Sequence, residues 1–346
     1  MRIANVFIIG AMVLSCAGCG NGAQTSSGSG STFIKPIMDK WIDVYTKEKG
    51  GEINYQATGS TAGIKQTIDR AVDFGCTDAF MTEEQLQLAV KRGGDVLNIP
   101  LVVGAIVPAY NLKGIDEPIH FSGDVLGRIF LGDIQKWNHP DLQKLNKNVR
   151  LPDLRIAVVH RTEGSGSTFI FTGYLEKVSP AWQKSGIGAG TTVKWKTGTG
   201  EQGNPGVAGF LGQTEGSIGY VELYYALLRK DAIQFGAVQN REGNYVRADL
   251  EGVTRAAENA MNDKQRVGDD LNLDLLDASG AKSYPICGTT WAVLYADQEP
   301  ARGKKLFDFL SWAVHEGQTY NETMYYARLP QALVQRIDEK LQKIKK

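Results

Sequence analysis

The hexapeptide Gly-Ser-Gly-Ser-Thr-Phe occurs twice in the chain, at residues 28–33 and again at 164–169. A looser copy, Gly-Ser-Thr-Ala-Gly-Ile-Lys, occupies 59–65. Each copy precedes apolar residues at helical spacing, so each sets glycines and hydroxyls where a helix opens. The first turn of a helix leaves N–H groups unpaired and carries the positive end of the dipole, and glycine lets an anion come close to the backbone. Serine and threonine add hydroxyl donors. A single turn of this kind is ordinarily an N-cap and nothing more. Three in one chain shift the balance toward a shared seat for an anion.

Other chemistries fail on the same residues. Neither hexapeptide carries the lysine of a nucleotide-binding P-loop, and neither supplies Gly-x-Ser-x-Gly in the register of a nucleophile elbow. The four histidines, His120, His139, His160 and His315, lack metal-ligand spacing. His160 ends a strand-like run beside the second copy and reads as a packed or solvated side chain. No catalytic residue, metal ligand or cofactor is therefore assigned. Two ionisable residues stand out: Arg161, just before the second copy, and Asp78, which ends Val-Asp-Phe-Gly-Cys-Thr-Asp. A guanidinium, many neutral donors and one carboxylate suit a tetrahedral oxyanion that still carries a proton. The carboxylate accepts from P–OH and repels a fully ionised anion. Such a site takes hydrogen phosphate and rejects sulfate, which has no hydroxyl to offer. Each residue also has a plainer reading, Asp78 as a turn residue and Arg161 as a surface partner of Glu163.

These residues must be positioned by a scaffold, and 346 residues suffice for two domains. Apolar and charged contents of 42% and 22% are those of a soluble globular chain. The 38 basic and 38 acidic residues balance, so bulk charge gives no attraction to nucleic acid and an anion site has to be local. Apolar residues at three- and four-residue spacing (Phe33, Ile34, Ile37, Met38, Trp41, Ile42, Tyr45) predict a helix. Alternation around Ile53 and Tyr55 predicts a strand, 62–70 a helix, and 72–76 a buried strand. Thr82 and Gln85 have the spacing of a capping box. The run 96–112 is β-rich, bent by Pro100 and Pro108, and suits a strand that crosses between domains. A helix over 122–137, a strand at 155–160 and a helix from about 166 follow. A loop-rich segment comes next, holding a helix and a strand at 217–221. A second long β-rich run at 284–296 and two amphipathic helices close the chain. Strands alternating with helices predict an α/β fold with largely parallel sheets. Two crossings make the first domain discontinuous.

The N-terminus reads differently. Arg2 is the only charge before Lys35, and the apolar run 3–14 is too short to span a membrane. Val-Leu-Ser-Cys, ending at Cys16, is similar to a bacterial lipoprotein box, with Cys19 a poorer second candidate. An exported protein is expected, in the periplasm or at the cell surface and lipid-anchored; the alternative is plain cleavage to a free soluble product. Cys76 and Cys287 are expected as buried free thiols, although an oxidising compartment leaves a bridge open.

With these motifs in hand, the chain resembles the periplasmic phosphate-binding proteins of phosphate ABC transporters, the PstS family. The likeness runs from about Gly28 to Pro330. It rests on GSGSTFIKPIMDKW, INYQATGSTAGIKQ with VDFGCTDA, LGDIQKWN, IAVVHRTEGSGSTFIFTGYL, and TVKWKTGTGEQGNPGVAGF with GSIGYVE. The resemblance implies a type II-like binding-protein fold of two hinged domains: 28–102 with 284–346, and 103–283, after a signal and linker at 1–27. It implies phosphate held between them by Ser31, Thr32, Phe33 (through its backbone), Ser60, Asp78, Arg161, Ser165, Gly166 (through its N–H) and Ser167. Glu163 stands where the family usually has the aspartate that pairs with the arginine, Ser167 where threonine is usual, and Phe80 where proline is common. The implied partners are inorganic phosphate, the permease and ATPase subunits, and the membrane through the anchor, with the protein itself a monomer. Sulfate or molybdate binding, and a phosphate-releasing enzyme, are the alternatives.

Overall fold

The computed structural model describes residues 25–268 and 270–346. The expectations for Cys16, Cys19 and the signal segment lie outside them. Twelve strands are seen among the described residues: β1 Ser26–Gly30, β2 Ile53–Gln56, β3 Phe74–Thr77, β4 Val96–Tyr110, β5 His120–Phe121, β6 Ala157–Arg161, β7 Thr199–Glu201, β8 Ser217–Glu222, β9 Gln234–Phe235, β10 Ala237–Gln239, β11 Tyr245–Arg247 and β12 Cys287–Tyr295. Nine form one sheet in the order β2-β1-β3-β12-β4-β8-β6-β7, with β9 also paired to β4. Helices pack around it, giving the expected α/β fold.

The long run near residue 100 is a single strand that changes partners. Val96 to Ala105 pairs antiparallel with β12, and Ile106 to Tyr110 pairs antiparallel with β8. The sheet thus has two halves sharing one strand. In the first, β1 lies parallel to β2 and β3; in the second, β6 lies parallel to β7 and β8. The sheet is mixed, with its antiparallel pairs gathered where the two long strands run side by side. β4 and β12 are buried along almost their whole length, which explains their continuous apolar sequence.

Two expectations need correction. The helix predicted over 122–137 spans only Gly123–Leu131, because Gly132 takes a left-handed φ of 82° and its N–H closes on the Arg128 and Ile129 carbonyls. Ile134 and Trp137 are buried in the irregular segment that follows. More consequentially, Ser26 and Ser27 are not linker, and Gly28 to Gly30 is not a turn. Together they form β1, paired on both edges.

Its small residues are required by packing. A β-carbon on Gly28 would lie 2.3 Å from the Phe74 ring. One on Gly30, where φ is +129°, would lie 2.1 Å from the Cys76 carbonyl oxygen. Gly30→Ala is therefore expected to destabilise the chain by about 2–4 kcal/mol, through both clash and backbone strain. A urea unfolding curve measures this, and a midpoint equal to that of the parent chain would refute the packing argument.

Candidate functional site

The turn after β1 is shaped by tying its carbonyls to one side. Ser31 donates its N–H to the Cys76 carbonyl at 2.8 Å, which anchors the turn over the end of β3. The Ser31, Thr32 and Phe33 carbonyls then accept from Tyr55, Tyr225 and Tyr326 hydroxyls at 2.8, 2.8 and 2.6 Å. Three successive acceptors are thereby removed from the cleft face. The Phe33 N–H donates to Ser31 Oγ at 2.9 Å.

The second turn opens the helix Ser60–Ile68, with Gly59 in an extended conformation of positive φ, 98°. Ser60 Oγ accepts from Gly166 N–H at 3.1 Å, across the cleft. The third turn opens the helix Gly166–Val178, whose N-cap Ser165 accepts from the Thr168 N–H at 3.2 Å. Thr61 N–H reaches the Gly164 carbonyl at 3.1 Å. The second and third turns therefore meet, although more than a hundred residues separate them in sequence.

Asp78 is at the centre of the cluster. Its Oδ2 accepts from Ser31 Oγ at 2.6 Å and from Ser60 Oγ at 3.3 Å, and its Oδ1 from Thr290 Oγ1 at 2.6 Å. A β-carbon on Gly166 would lie 2.4 Å from Oδ2, so glycine is what allows the third turn to close over the carboxylate. Burial raises the Asp78 pKa to about 6; hydrogen bonds from Ser31 and Thr290, the Arg161 charge and the Ser60 hydroxyl all pull it down but do not cancel that effect.

Arg161 ends β6, and its side chain is buried on the same cleft. Its Nε donates to Glu163 Oε1 at 2.9 Å, and Nη2 bonds to the same oxygen. Glu163 Oε1 also accepts the Gly203 N–H at 3.1 Å. The longer glutamate arm thus reaches the guanidinium. One nitrogen, Nη1, is buried with no hydrogen-bond partner, as is Glu163 Oε2. A buried guanidinium N–H without an acceptor is costly, and it marks a position where an anion would be stabilised.

Every expected ligand residue is thus buried, and hydrogen bonds across the two halves of the sheet tie Ser60 to Gly166 and, through Asn204, Thr32 to Ser167. The first half supplies Ser31, Thr32, Phe33, Ser60 and Asp78, and the second Arg161, Ser165, Gly166 and Ser167. Three further groups were not singled out from the sequence: Thr290 on β12, the three tyrosines, and Asn204, whose amide donates to both Thr32 and Ser167. His160 is turned to other use, its ring stacked on Trp195 at 4.9 Å. Phe80 packs on Trp291, their ring centroids 4.2 Å apart. Cys76 and Cys287 are free and buried, and burial pushes both thiols well above their ordinary range.

Residues 19–316 match the family model described as the PBP superfamily domain. The phosphate-binding protein PstS of Pasteurella multocida is 39% identical over 317 residues, which cover 91% of this chain and 89% of that protein. The chain belongs to the PstS family of phosphate-binding proteins. PstS of Haemophilus influenzae is likewise 39% identical, over 319 residues covering 91% and 92% of the two chains. A phosphate-binding protein from Stenotrophomonas maltophilia shares the fold, with a TM-score of 0.69 at 18% identity over 92% of this chain and 94% of that one. In this PstS-family chain the second and third glycine-serine turns come from the two halves of the sheet and meet through the Gly166–Ser60 and Thr61–Gly164 hydrogen bonds.

Proposed function

We propose that the chain captures inorganic phosphate, as HPO4²⁻ or H2PO4⁻, stripped of water between its two lobes, and delivers it to the permease and ATPase subunits of a phosphate ABC transporter. The observation that carries this reading is a buried, unpartnered guanidinium nitrogen on Arg161, whose charge acts on the buried carboxylate of Asp78. A protonated tetrahedral anion satisfies both: its charged oxygens take Arg161 and the surrounding hydroxyl and amide donors, and its P–OH donates to Asp78. Sulfate leaves Asp78 facing an oxygen without a proton. The protein acts as a binding module, with Ser31, Thr32, Phe33, Ser60, Asp78, Arg161, Ser165, Gly166 and Ser167 as its ligands and Glu163 orienting Arg161.

The partner exchange along β4 supports a division into lobes of residues 26–105 with 286–346, and 106–285, the two strands at the crossing serving as hinge. Hinge closure would then be driven by donors that both lobes offer to one anion. No helix among the described residues is long and apolar enough to cross a membrane. Export and a lipid on Cys16, with Cys19 as second candidate, would hold the monomer at the membrane face where its transporter works.

Calorimetric titration of the ligand-stripped chain with phosphate and then sulfate, from pH 5 to 8, tests the reading. Tight one-to-one phosphate binding with no sulfate heat at neutral pH is expected. Comparable sulfate binding at neutral pH would overturn the role of Asp78, and the absence of phosphate binding would overturn the function.

A further inference from the structure

One fully buried amide links hydroxyls that come from opposite sides of the cleft. Asn204 is the second residue of the helix Gly203–Gln213. Its Oδ1 accepts the Glu222 backbone N–H at 2.9 Å. That donor has no acceptor capacity, so the amide oxygen must face it and the NH2 group must face the cleft. There Nδ2 donates to Thr32 Oγ1 at 3.0 Å and to Ser167 Oγ at 3.3 Å. The Asn204 backbone N–H donates to Thr32 Oγ1 as well, at 3.2 Å.

A hydroxyl has one hydrogen and two lone pairs. Both lone pairs of Thr32 Oγ1 are taken by Asn204, so this hydroxyl can act only as a donor. Ser167 Oγ has one lone pair taken and is biased the same way. An anion gains from hydroxyls already committed to donating, since a freely turning hydroxyl loses rotor entropy and can present a lone pair instead. Thr32 belongs to the turn after β1, while Asn204 and Ser167 lie on the other half of the sheet. The arrangement of Thr32 therefore exists only when the halves are together.

We infer that Asn204 is a positioning residue of the anion site, one that turns the Thr32 and Ser167 hydroxyls into committed donors and thereby ties cleft closure to ligand retention. This rests on the phosphate-binding reading above. Asn204 has no ionisable group and does not need to touch the anion itself. Its effect is on the closed state, so it belongs to the rate of release rather than to the rate of encounter.

The test is stopped-flow phosphate binding followed by intrinsic tryptophan fluorescence. Asn204→Ala should raise the dissociation rate about tenfold or more, the scale of one or two lost hydrogen bonds, and leave the association rate within about twofold. Asn204→Ser, which keeps a small polar group in the buried space, serves if the alanine form does not fold. A double-mutant cycle separates positioning from general loosening. In a Thr32→Val background the Asn204→Ala effect should shrink, because one of the two hydroxyls on which it acts is gone. Unchanged dissociation in both Asn204 variants, or independent losses in the Asn204–Thr32 cycle, would overturn the inference while phosphate binding by the parent chain stood. Failure of the parent chain to bind phosphate would overturn both readings.

Discussion

An Arg161→Met chain is expected to bind phosphate about a thousandfold more weakly than its parent in a calorimetric titration. The guanidinium is almost fully buried, its Nε and Nη2 are committed to Glu163, and Nη1 is left with no protein acceptor. An anion in the cleft would complete a charge-assisted set of hydrogen bonds in a medium of low polarity, and losing it costs on the order of 4 kcal/mol in binding. Methionine keeps much of the side-chain volume, so the loss reads charge rather than packing. The same change leaves Glu163 as a buried carboxylate without its cation, which costs roughly 3–5 kcal/mol of folding stability. The double change Arg161→Met with Glu163→Gln should recover much of the melting temperature and none of the phosphate affinity. If either chain bound phosphate within about tenfold of the parent, Arg161 would not be the anion's principal partner.

Asp78→Asn should make the protein more stable and less selective. An unfolded aspartate titrates near 3.8, whereas burial holds Asp78 up to about 6 in the folded chain despite the hydroxyls and the Arg161 charge around it. Between those values the folded chain keeps a proton that the unfolded chain has released. Stability without ligand therefore falls as pH rises from about 4 to about 6 and stays lower above that, by on the order of 3 kcal/mol. Asparagine removes the ionisation, so the variant without ligand should melt about 4 °C higher at pH 7, with no rise below pH 4. Its amide can donate to a fully ionised oxygen, so sulfate should now bind across pH 5 to 8. In the parent chain sulfate should bind only as pH drops below about 6, where Asp78 gains a proton of its own to donate. Sulfate rejection that survives in Asp78→Asn would remove Asp78 as the reader of the ligand's proton.

Much of the scaffold was legible because its signals are local. The capping box at Thr82 and Gln85 forms as its spacing predicts, with both reciprocal bonds present. The apolar run at 96–112 is strand because residues buried on both faces need no alternation. The predicted helix over 122–137 ran too long because apolar spacing continues through Ile134 and Trp137, while Gly132 had already ended the backbone ladder. Thr290 and Asn204 were not singled out, since Thr290 meets Asp78 and Asn204 meets Thr32 only through contacts more than 150 residues apart in sequence.

The repeated hexapeptide divides the two kinds of information most clearly. Its glycines and hydroxyls determined that two donor-rich segments would stand near helix starts, and Asp78 and Arg161 determined what charge could complete them. What shape each copy takes was left to the tertiary structure. At 28–33 the first three residues end an interior strand, held between β2 and β3 by pairing on both edges. At 164–169 the same letters make a loop, an N-cap and the first turn of a helix. Glycine and serine carry too little backbone preference to choose between these states. The choice falls to the Phe74 ring, the Cys76 carbonyl and the neighbouring strands around one copy, and to the apolar helix that follows the other.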